Sequence, residues 1–246
     1  MSPEQKKQIL ETIDKCVQEK FLKKHVANIK KLKKLKEFKY NPFLYKYLAK
    51  LACGDDSYVS IARALIYPRV LATSVNTIFG NSMQFICTEI LNILGTGEGS
   101  TSSGIDIEFY DQLEKKRRIF CQLKSGPSCI NNDDVAPISK KFENLINLAK
   151  ANHRTIHHSD CVVGVVYGTK EHLNAAFKKL DTSSMQYVYV GKEFWWHLTG
   201  VEDFYDELTR RFVQQLDMTS NGKELLEETI KSLAEDIKTS LQNEKF

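Results

Sequence analysis

The chain has 246 residues, a length that predicts one or two domains and allows one good hydrophobic core with a helical appendage. Hydrophobic residues make up 42% and charged residues 27% of it, which is typical of a soluble globular protein. No apolar run approaches the roughly 20 residues of a membrane span, and MSPEQKKQIL lacks the apolar core of a secretion signal. We therefore expect a cytoplasmic protein. The net charge of +4 says little about partners, so the distribution of charge matters more.

The six cysteines are scattered along the chain without a C-x-x-C pair, and most of them lie in apolar contexts. Disulfide bonds persist in oxidising compartments, and zinc sites bring cysteines together at short spacings. The scatter therefore predicts reduced, buried thiols rather than disulfide bonds or a zinc site.

The first helical pattern runs from Ser2 to about Glu37, with Ser2 as its cap and Pro3 at its first position. Within it, KFLKKHVANIKKLKKLKEFK (20–39) combines many lysines with one apolar face. Such a segment is either a solvated amphipathic helix or a basic surface that binds phosphates. A membrane-surface helix is a third alternative, which the absence of any anchor disfavours.

A second helical segment, PFLYKYLAKLA (42–52), places Phe43, Tyr47 and Leu51 on one stripe and ends at Gly54. Aromatic and aliphatic residues at this spacing usually pack inward. We expect the stripe to belong to the core rather than to stack on bases.

Two further helices precede the strands. The first is capped by residues 55–57 and runs to about Leu71, with Pro68 bending or interrupting it. The second, Met83 to Leu94, carries Glu89 among apolar residues. A buried acid is costly without a partner, so Glu89 either has one or lies at the surface.

Two strand patterns follow, GIDIEFY (104–110) and RIFCQLK (118–124), in which apolar and polar side chains alternate. The polar segment between them predicts an antiparallel hairpin, and a register symmetric about Glu114 sets Asp106 opposite Gln122. One face of such a hairpin packs on a core. The other face carries four polar side chains: Asp106, Glu108, Gln122 and Lys124.

These polar groups suit a metal-dependent phosphodiesterase. A carboxylate, a neighbouring side-chain oxygen and a backbone carbonyl are ligands that a hard cation such as Mg²⁺ prefers. Lys124 at the rim can hold or help deprotonate an attacking water and offset charge on a phosphate. The flexible entry TGEGSTSSG before Asp106 and the strand end at residues 125–127 favour a site. The alternative is an ordinary amphipathic hairpin with a solvated charged face.

Asp106, followed by Gln122-x-Lys124 on the next strand, resembles the PD-(D/E)XK nuclease motif, in which a minority of members carry Gln at the second position. The wider text GIDIEF…QLKSGP, with TIFGNSMQFICTEILNI ahead of it and KKLKEFKYNPFLYKY near the N-terminus, is similar to type II restriction endonucleases of the PmeII-like group. The resemblance runs from about Leu32 to Asn132, with a weaker echo at GKEFWWHLTG.

The resemblance implies a Mg²⁺-dependent homodimer that cuts both strands of DNA at a short palindromic or interrupted-palindromic site and leaves 5′ phosphates. It also implies a prokaryotic host and a cognate DNA methyltransferase that shares the site without having to bind this protein. The implied catalytic residues are Asp106, Gln122 and Lys124. The implied metal ligands are Asp106, Gln122 and the Leu123 carbonyl, with Glu89 or Glu108 as a further acidic ligand.

Beside a nuclease site, the lysine-rich segment gains a role as a phosphate clamp, and the polar loop SGPSCINNDD can read base edges. The candidate DNA-binding residues are Lys30, Lys31, Lys33, Lys34, Ser128, Asn131 and Asn132. Turns and helix caps use the same polar residue types, so a purely structural role is the alternative for the loop.

After the hairpin, a helix runs to Lys150, CVVGVVY (161–167) reads as a buried strand, and residues 186–190 form another strand. The aromatic block at 194–198 indicates core packing or a dimer contact. The last helix has an apolar seam and acidic faces, so we expect it to pack on the helical part or on a second subunit.

The sequence thus predicts an α/β fold of the PD-(D/E)XK restriction-endonuclease type, with a mixed central sheet flanked by helices and extra helices at both termini. Its regions would be a basic helical part at 1–80 that clamps DNA or dimerises, a catalytic core at 81–200, and C-terminal helices at 201–246. Two other functions stay open: a structure-selective or repair nuclease of the same superfamily, and a non-catalytic DNA-binding protein.

Overall fold

The computed structural model describes residues 1–114, 117–183, 187–216 and 221–243. The chain divides into two compact units, each built from two stretches of sequence. The sheet unit comprises Met1–Cys16 and Gly80–Gln214, and the helical unit comprises Val17–Phe79 and Gln215–Phe246. Within the described ranges, no helix combines the length and the apolar character needed to cross a membrane.

The elements are numbered along the chain. The α-helices are α1 Pro3–Lys15, α2 Lys23–Lys31, α3 Tyr45–Cys53, α4 Tyr58–Pro68, α5 Val75–Leu94, α6 Asn132–Ala151, α7 Ala175–Ser183, α8 Lys192–Thr199, α9 Phe204–Leu216 and α10 Gly222–Asn243. The strands are β1 Gly97–Gly99, β2 Ile107–Tyr110, β3 Arg118–Lys124, β4 Cys161–Val165 and β5 Tyr187–Val190.

The five strands form one mixed sheet in the order β1-β2-β3-β4-β5. Strand β2 pairs antiparallel with both β1 and β3, whereas β3, β4 and β5 run parallel. This confirms the predicted α/β fold with the hairpin and the two later strands in one sheet. The glycine-rich entry, expected to be flexible, instead contains β1, in which Glu98 pairs with Glu108. Gln186, the predicted start of β5, lies outside the described residues.

One face of the sheet is covered by α6 and α7. Phe120, Val163, Val165 and Val190 lie on the same side of neighbouring strands, as the register requires. They share one buried cluster with side chains of α6 and α7, including Ile138, Phe142, Ile146, Phe177 and Leu180. Gln122 also lies on this face, since it is two residues after Phe120 on the same strand.

The opposite face packs closely on α8. A Cβ atom at Gly164 would lie 2.5 Å from the Phe194 ring and 2.9 Å from the sulfur of Cys121. Glycine at this position therefore lets the helix approach the strand. Glu108 and Gln122 both lie on the face that α6 covers and are only 8% and 2% exposed. The alternative of a solvated charged face is therefore wrong for these two residues.

The helical unit has its own core, formed by α2, α3, α4 and α10. Its buried residues are Ile29, Leu32, Ala49, Ile61, Ala62, Ile66, Val70, Ile230, Leu233, Ala234 and Ile237. Helix α10 thus packs on the helical part, as its apolar seam predicted. Its acidic side pairs with basic residues of the same unit through Lys33–Glu228, Lys34–Asp236 and Arg63–Glu227.

The helix boundaries depart from prediction at two positions. Helix α1 begins with a capping box between Ser2 and Gln5, as expected, but regular helix ends at Lys31 rather than near residue 37. At Pro68, where a bend or interruption was predicted, the α4 helix passes into π-helical turns, because proline lacks the N–H that an α-helical bond needs. Those turns lead directly into α5, which therefore starts earlier than the predicted Met83.

The predicted stripe of Phe43, Tyr47 and Leu51 is exposed, which contradicts the expectation that it belongs to the core, and Phe43 precedes α3. Phe43, Tyr47 and Leu51 are 91%, 60% and 69% exposed. Helix α3 packs on α4, and its fully buried residue is Ala49. The periodicity correctly indicated an amphipathic helix, but the apolar stripe points away from the core that the helix joins.

Candidate active site

The register of the hairpin is the predicted one along β2 and β3. The pairs run from Tyr110↔Arg118 to Ile107↔Cys121 and are symmetric about Glu114. Beyond β2 the pairing shifts by one residue, because the N–H of Asp106 donates to the carbonyl of Cys121, the partner of Ile107, at 2.9 Å. Two residues opposite one are typical of a β-bulge, which places Asp106 just outside the regular ladder.

The Asp106 carboxylate is held by groups from two elements. Its Oδ2 accepts a hydrogen bond from the Leu123 N–H at 2.6 Å, and its Oδ1 accepts one from Gln84 Nε2 at 3.5 Å. Burial raises the pKa of Asp106, while the Leu123 N–H and the charges of Lys124 and Lys141 act to lower it. The ionised carboxylate is thus incompletely compensated, and a bound cation would stabilise it.

Gln122 is oriented by α6. Its Nε2 donates to the carbonyl oxygen of Ile138 at 3.4 Å, so the amide nitrogen faces the helix. With the nitrogen engaged there, the side-chain oxygen is the atom that remains to bind a cation. The amide therefore has a structural contact that a carboxylate at the same position could not make, because an ionised carboxylate only accepts hydrogen bonds.

Lys124 is the last residue of β3 and is half-buried. Its charge acts on Asp106, since it lowers the pKa of that carboxyl group. The chain leaves the strand at the next residue, so the lysine lies at the end of β3 beside Asp106. The end of the hairpin therefore places the Asp106 carboxylate beside the Lys124 ammonium group and against the backbone of Leu123, the residue after Gln122.

The two other acidic candidates lie in different surroundings. Glu108 accepts hydrogen bonds from Ser100 Oγ at 2.5 Å and from Arg118 Nη2 at 2.7 Å. Binding a metal would require Glu108 to give up its arginine partner. Glu89 follows Gln84 by five residues on α5, a step of about 140° around the axis and about 7.5 Å along it. Gln84, rather than Glu89, is the residue of this helix that contacts Asp106.

Lys141 and Gln84 are two members of this site that the sequence interpretation missed. Lys141 lies on α6, three residues beyond the Ile138 carbonyl that binds Gln122, and residues at this spacing share one helix face. Nothing local marks either residue. The usable signal is the capping box of Asn131 and Asp134, which starts α6 directly after the hairpin and sends it back over the sheet.

The candidate DNA-binding residues fall into two groups. Lys33 and Lys34 form salt bridges with acidic residues of α10, as described above, whereas Lys30 and Lys31 are exposed. In the loop after β3, Ser128 is exposed, Asn131 caps α6, and Asn132 accepts a hydrogen bond from Lys179 at 3.0 Å. The two asparagines thus have structural contacts, which was the alternative considered for this loop.

The donor set at Asp106 suits a hydrated hard cation. The described residues contain no group of three or more His, Cys, Asp or Glu side chains that could hold a metal by themselves. The proposed site at Asp106 differs from such a group, because it would consist of one carboxylate, one amide oxygen and one backbone carbonyl. Its donors are all oxygen atoms, which is the preference of Mg²⁺, and that ion normally keeps several of its waters.

A comparison with protein families agrees with this chemistry. The family model of the type II restriction endonuclease EcoO109I matches residues 7–220, which include the whole sheet and the Asp106 site. No curated protein gives a significant match to the chain.

Proposed function

This chain belongs to the family of the type II restriction endonuclease EcoO109I, and we propose that it cuts both strands of DNA at a short palindromic or interrupted-palindromic site in the presence of Mg²⁺. Membership of the family supports a site-specific deoxyribonuclease, and DNA is then its substrate. The finer assignment to a PmeII-like group rests on the resemblance of the Leu32–Asn132 stretch. We further propose a cytoplasmic protein of a prokaryote whose cognate methyltransferase modifies the same DNA site.

The observation that carries the proposal is the contact of the Asp106 carboxylate with the Leu123 N–H at 2.6 Å, between Gln122 and Lys124 on β3. Asp106, the side-chain oxygen of Gln122 and the Leu123 carbonyl would hold Mg²⁺. When bound there, the ion supplies Lewis-acid polarisation of the phosphate and favours deprotonation of water.

Three side chains of the protein would position the ion, the water and the phosphate. Asp106, oriented by the Leu123 N–H, fixes one side of the site, and the α6 carbonyl of Ile138 fixes the Gln122 amide. Lys124 holds the attacking water in line with the bond to be broken and offsets the charge that builds on the phosphate. Attack on phosphorus breaks the P–O3′ bond, leaving a 5′ phosphate and a 3′ hydroxyl.

Gln122 should make metal affinity weaker than in a site with a second carboxylate, because it removes one negative charge. Glu108 remains the nearest alternative source of that charge in sequence, at the cost of its pair with Arg118. Glu89 remains a candidate for the same role, although Gln84 is the α5 residue in contact with Asp106. The site therefore depends more than most on the DNA phosphates for its negative charge.

A homodimer follows from the need to cut two strands with one site per subunit, since symmetric protein matches symmetric DNA. The exposed stripe of Phe43, Tyr47 and Leu51 supports a protein contact, because large aromatic residues are enriched in interfaces. We propose that a second copy covers it. Changing Phe43 and Leu51 to serine should convert the dimer to a monomer in analytical ultracentrifugation, while an unchanged dimer would place the interface elsewhere.

DNA binding would draw on the exposed Lys30 and Lys31 and on Ser128, with Lys33 and Lys34 contributing once released from their acidic partners. Asn131 and Asn132 remain candidates for base contacts if the loop rearranges on DNA. Such basic contacts give salt-sensitive affinity that is independent of sequence.

The decisive experiment digests a plasmid of known sequence with the purified protein and Mg²⁺ and maps the ends. Discrete double-strand breaks at one recurring sequence would support the proposal, and cutting only of branched or damaged DNA would replace it with a repair nuclease. The Lys124→Ala variant should lose cleavage while retaining specific DNA binding in Ca²⁺. Full cleavage by that variant would refute the assignment of Lys124.

A further inference from the structure

Lys141 contacts the loop that presents Asp106. Gly104 has a φ angle of 82°, and a Cβ atom there would lie 2.5 Å from Cδ and 2.7 Å from Cγ of Lys141. The aliphatic stem of this lysine therefore lies against the backbone two residues before Asp106. Glycine both permits the left-handed turn and leaves room for the stem.

The position of Lys141 is fixed by the same helix that orients Gln122. Helix α6 begins at a double cap, where Asn131 accepts from the N–H groups of Asp133 and Asp134. Further along the helix, on its buried face, Ile138 binds the Gln122 amide, and Lys141 follows three residues later. Lys141 is exposed, so its ammonium group is accessible to a ligand.

The balance of charge at the site calls for an anion. With glutamine at 122, the end of the hairpin presents the Asp106 carboxylate beside Lys124, the last residue of β3, and Lys141, whose stem lies on Gly104. Both lysines lie close enough to act electrostatically on Asp106. Two cations facing one anion attract a phosphate more strongly than a site with two carboxylates would.

We propose that Lys141 binds a non-bridging oxygen of the scissile phosphate, as a second cation beside Lys124. This inference rests on the proposed nuclease function and adds a substrate-binding residue to it. Packing of its stem on Gly104, two residues before Asp106, restricts the freedom of the side chain, which lowers the entropic cost of holding the phosphate. The lysine thus replaces part of the phosphate attraction that a more strongly bound metal would provide.

The test separates the charge of Lys141 from its packing. Lys141→Met keeps an unbranched apolar stem over Gly104 and removes the ammonium group, whereas Lys141→Arg keeps the charge. Lys140→Met, at an exposed neighbouring lysine of α6, is the matched control. Binding is measured in Ca²⁺ by fluorescence anisotropy on a duplex that contains the mapped site, over a range of salt concentrations. Cleavage is measured in Mg²⁺ under single-turnover conditions.

We expect Lys141→Met to reduce the slope of log affinity against log salt by about one, since one phosphate contact is lost. Its cleavage rate should fall at least roughly tenfold, as expected when a group that stabilises developing charge is removed. Lys141→Arg should recover most of both losses, and Lys140→Met should behave as the wild type. On a duplex whose scissile phosphate is replaced by a neutral methylphosphonate, the binding defect of Lys141→Met should disappear.

Three results would contradict the inference. Equal behaviour of Lys141→Met and Lys140→Met in active protein would overturn it while leaving the nuclease function in place. A binding defect that persists on the methylphosphonate duplex would move the contact to another phosphate and also overturn it. A wild-type protein that binds plasmid DNA but never cuts it in Mg²⁺ would overturn the proposed function, and this inference with it.

Discussion

The two ends of strand β2 carry aspartates in contrasting states. Asp106 precedes the strand at the open end of the hairpin, and Asp111 follows it at the turn end. Burial alone would raise the pKa of either group. At Asp106 the raised pKa remains, whereas at Asp111 hydrogen bonds from His197 and from the N–H groups of Leu113 and Glu114 outweigh burial and lower it.

The structural reason is the number and quality of fixed partners. The Asp111 side chain is fully buried, and both its oxygens lie within 2.9 Å of His197 Nδ1, whose ring stacks on Tyr189. Asp106 accepts a short hydrogen bond from Leu123 and a long one from Gln84. A carboxylate that the fold satisfies completely is a structural clamp. One that the fold leaves partly uncompensated is available to an external cation.

The largest difference between the two ends should appear in activity when Asp106 is changed to asparagine. The amide oxygen of the new side chain would still accept the Leu123 hydrogen bond, so the fold should persist, but the carboxylate at the proposed metal position is gone. We expect Asp106→Asn to lower single-turnover cleavage by a factor on the order of 10² or more, the scale of losing one major electrostatic contribution. Glu143→Gln, at an exposed acid of α6, is the control. Cleavage by Asp106→Asn at the rate of the control would show that the open end is not the active site.

At the turn end, the corresponding change should act on stability instead. Asp111→Ala would leave the N–H groups of Leu113 and Glu114 and the His197 ring without their acceptor. We expect a loss of about 3 kcal/mol in the free energy of unfolding, measured in urea. The exposed Glu114, paired with Arg117 at 3.5 Å, provides the matched control. Its replacement by alanine should cost less than about 1 kcal/mol. Equal losses for the two variants would remove the distinction between the two ends.

Features that depend on interactions within a segment could be predicted from the sequence. Features that depend on packing between distant segments could not. The register of β2 and β3 could be predicted, because alternation and connector symmetry are local, whereas the shift of one residue at Asp106 could not. The exposure of Phe43 could not, since periodicity identifies an apolar face without saying what covers it. The contribution of Lys141 was also hidden, because it depends on how α6 packs over the hairpin, and no pattern within either segment reveals that packing. The short strand β1 was missed because glycines weaken a strand pattern.

Gln122 allows a finer test of the open end. From the sequence alone, Gln122→Glu would be well tolerated, since glutamate is the usual residue of the motif. In the structure the amide donates to the Ile138 carbonyl, and an ionised carboxylate would place two acceptors against each other at that contact. We expect Gln122→Glu to retain cleavage at a rate reduced roughly tenfold, because replacing this hydrogen bond by a contact between two acceptors costs about 1–3 kcal/mol. Gln122→Ala, which removes the proposed ligand without repulsion, is the comparison. An increase in cleavage by the glutamate variant would show that added metal affinity outweighs the contact with α6.

The two aspartates should also differ in the sign of their contribution to the pH dependence of stability. Asp106 has a folded pKa above its ordinary value of 3.8, so the folded state binds its proton first as pH falls. Its contribution to stability therefore decreases as pH rises from 3.8 through the folded pKa. Asp111 has a lowered folded pKa, so its contribution is present above 3.8 and is lost as pH falls through the folded value.

The opposite pH dependence of the two aspartates should produce the smallest of the expected effects, a change in the free energy of unfolding. Urea unfolding between about pH 4 and about pH 7 measures it. The wild type should gain stability relative to Asp106→Asn towards acid pH, because the neutral carboxyl group is the form that burial favours. Over the same range, cleavage should fall towards acid pH, because the ionised carboxylate is the form that binds a cation. If the stability difference instead grew towards neutral pH, Asp106 would be as well satisfied as Asp111, and the contrast between a clamp and a site would fail.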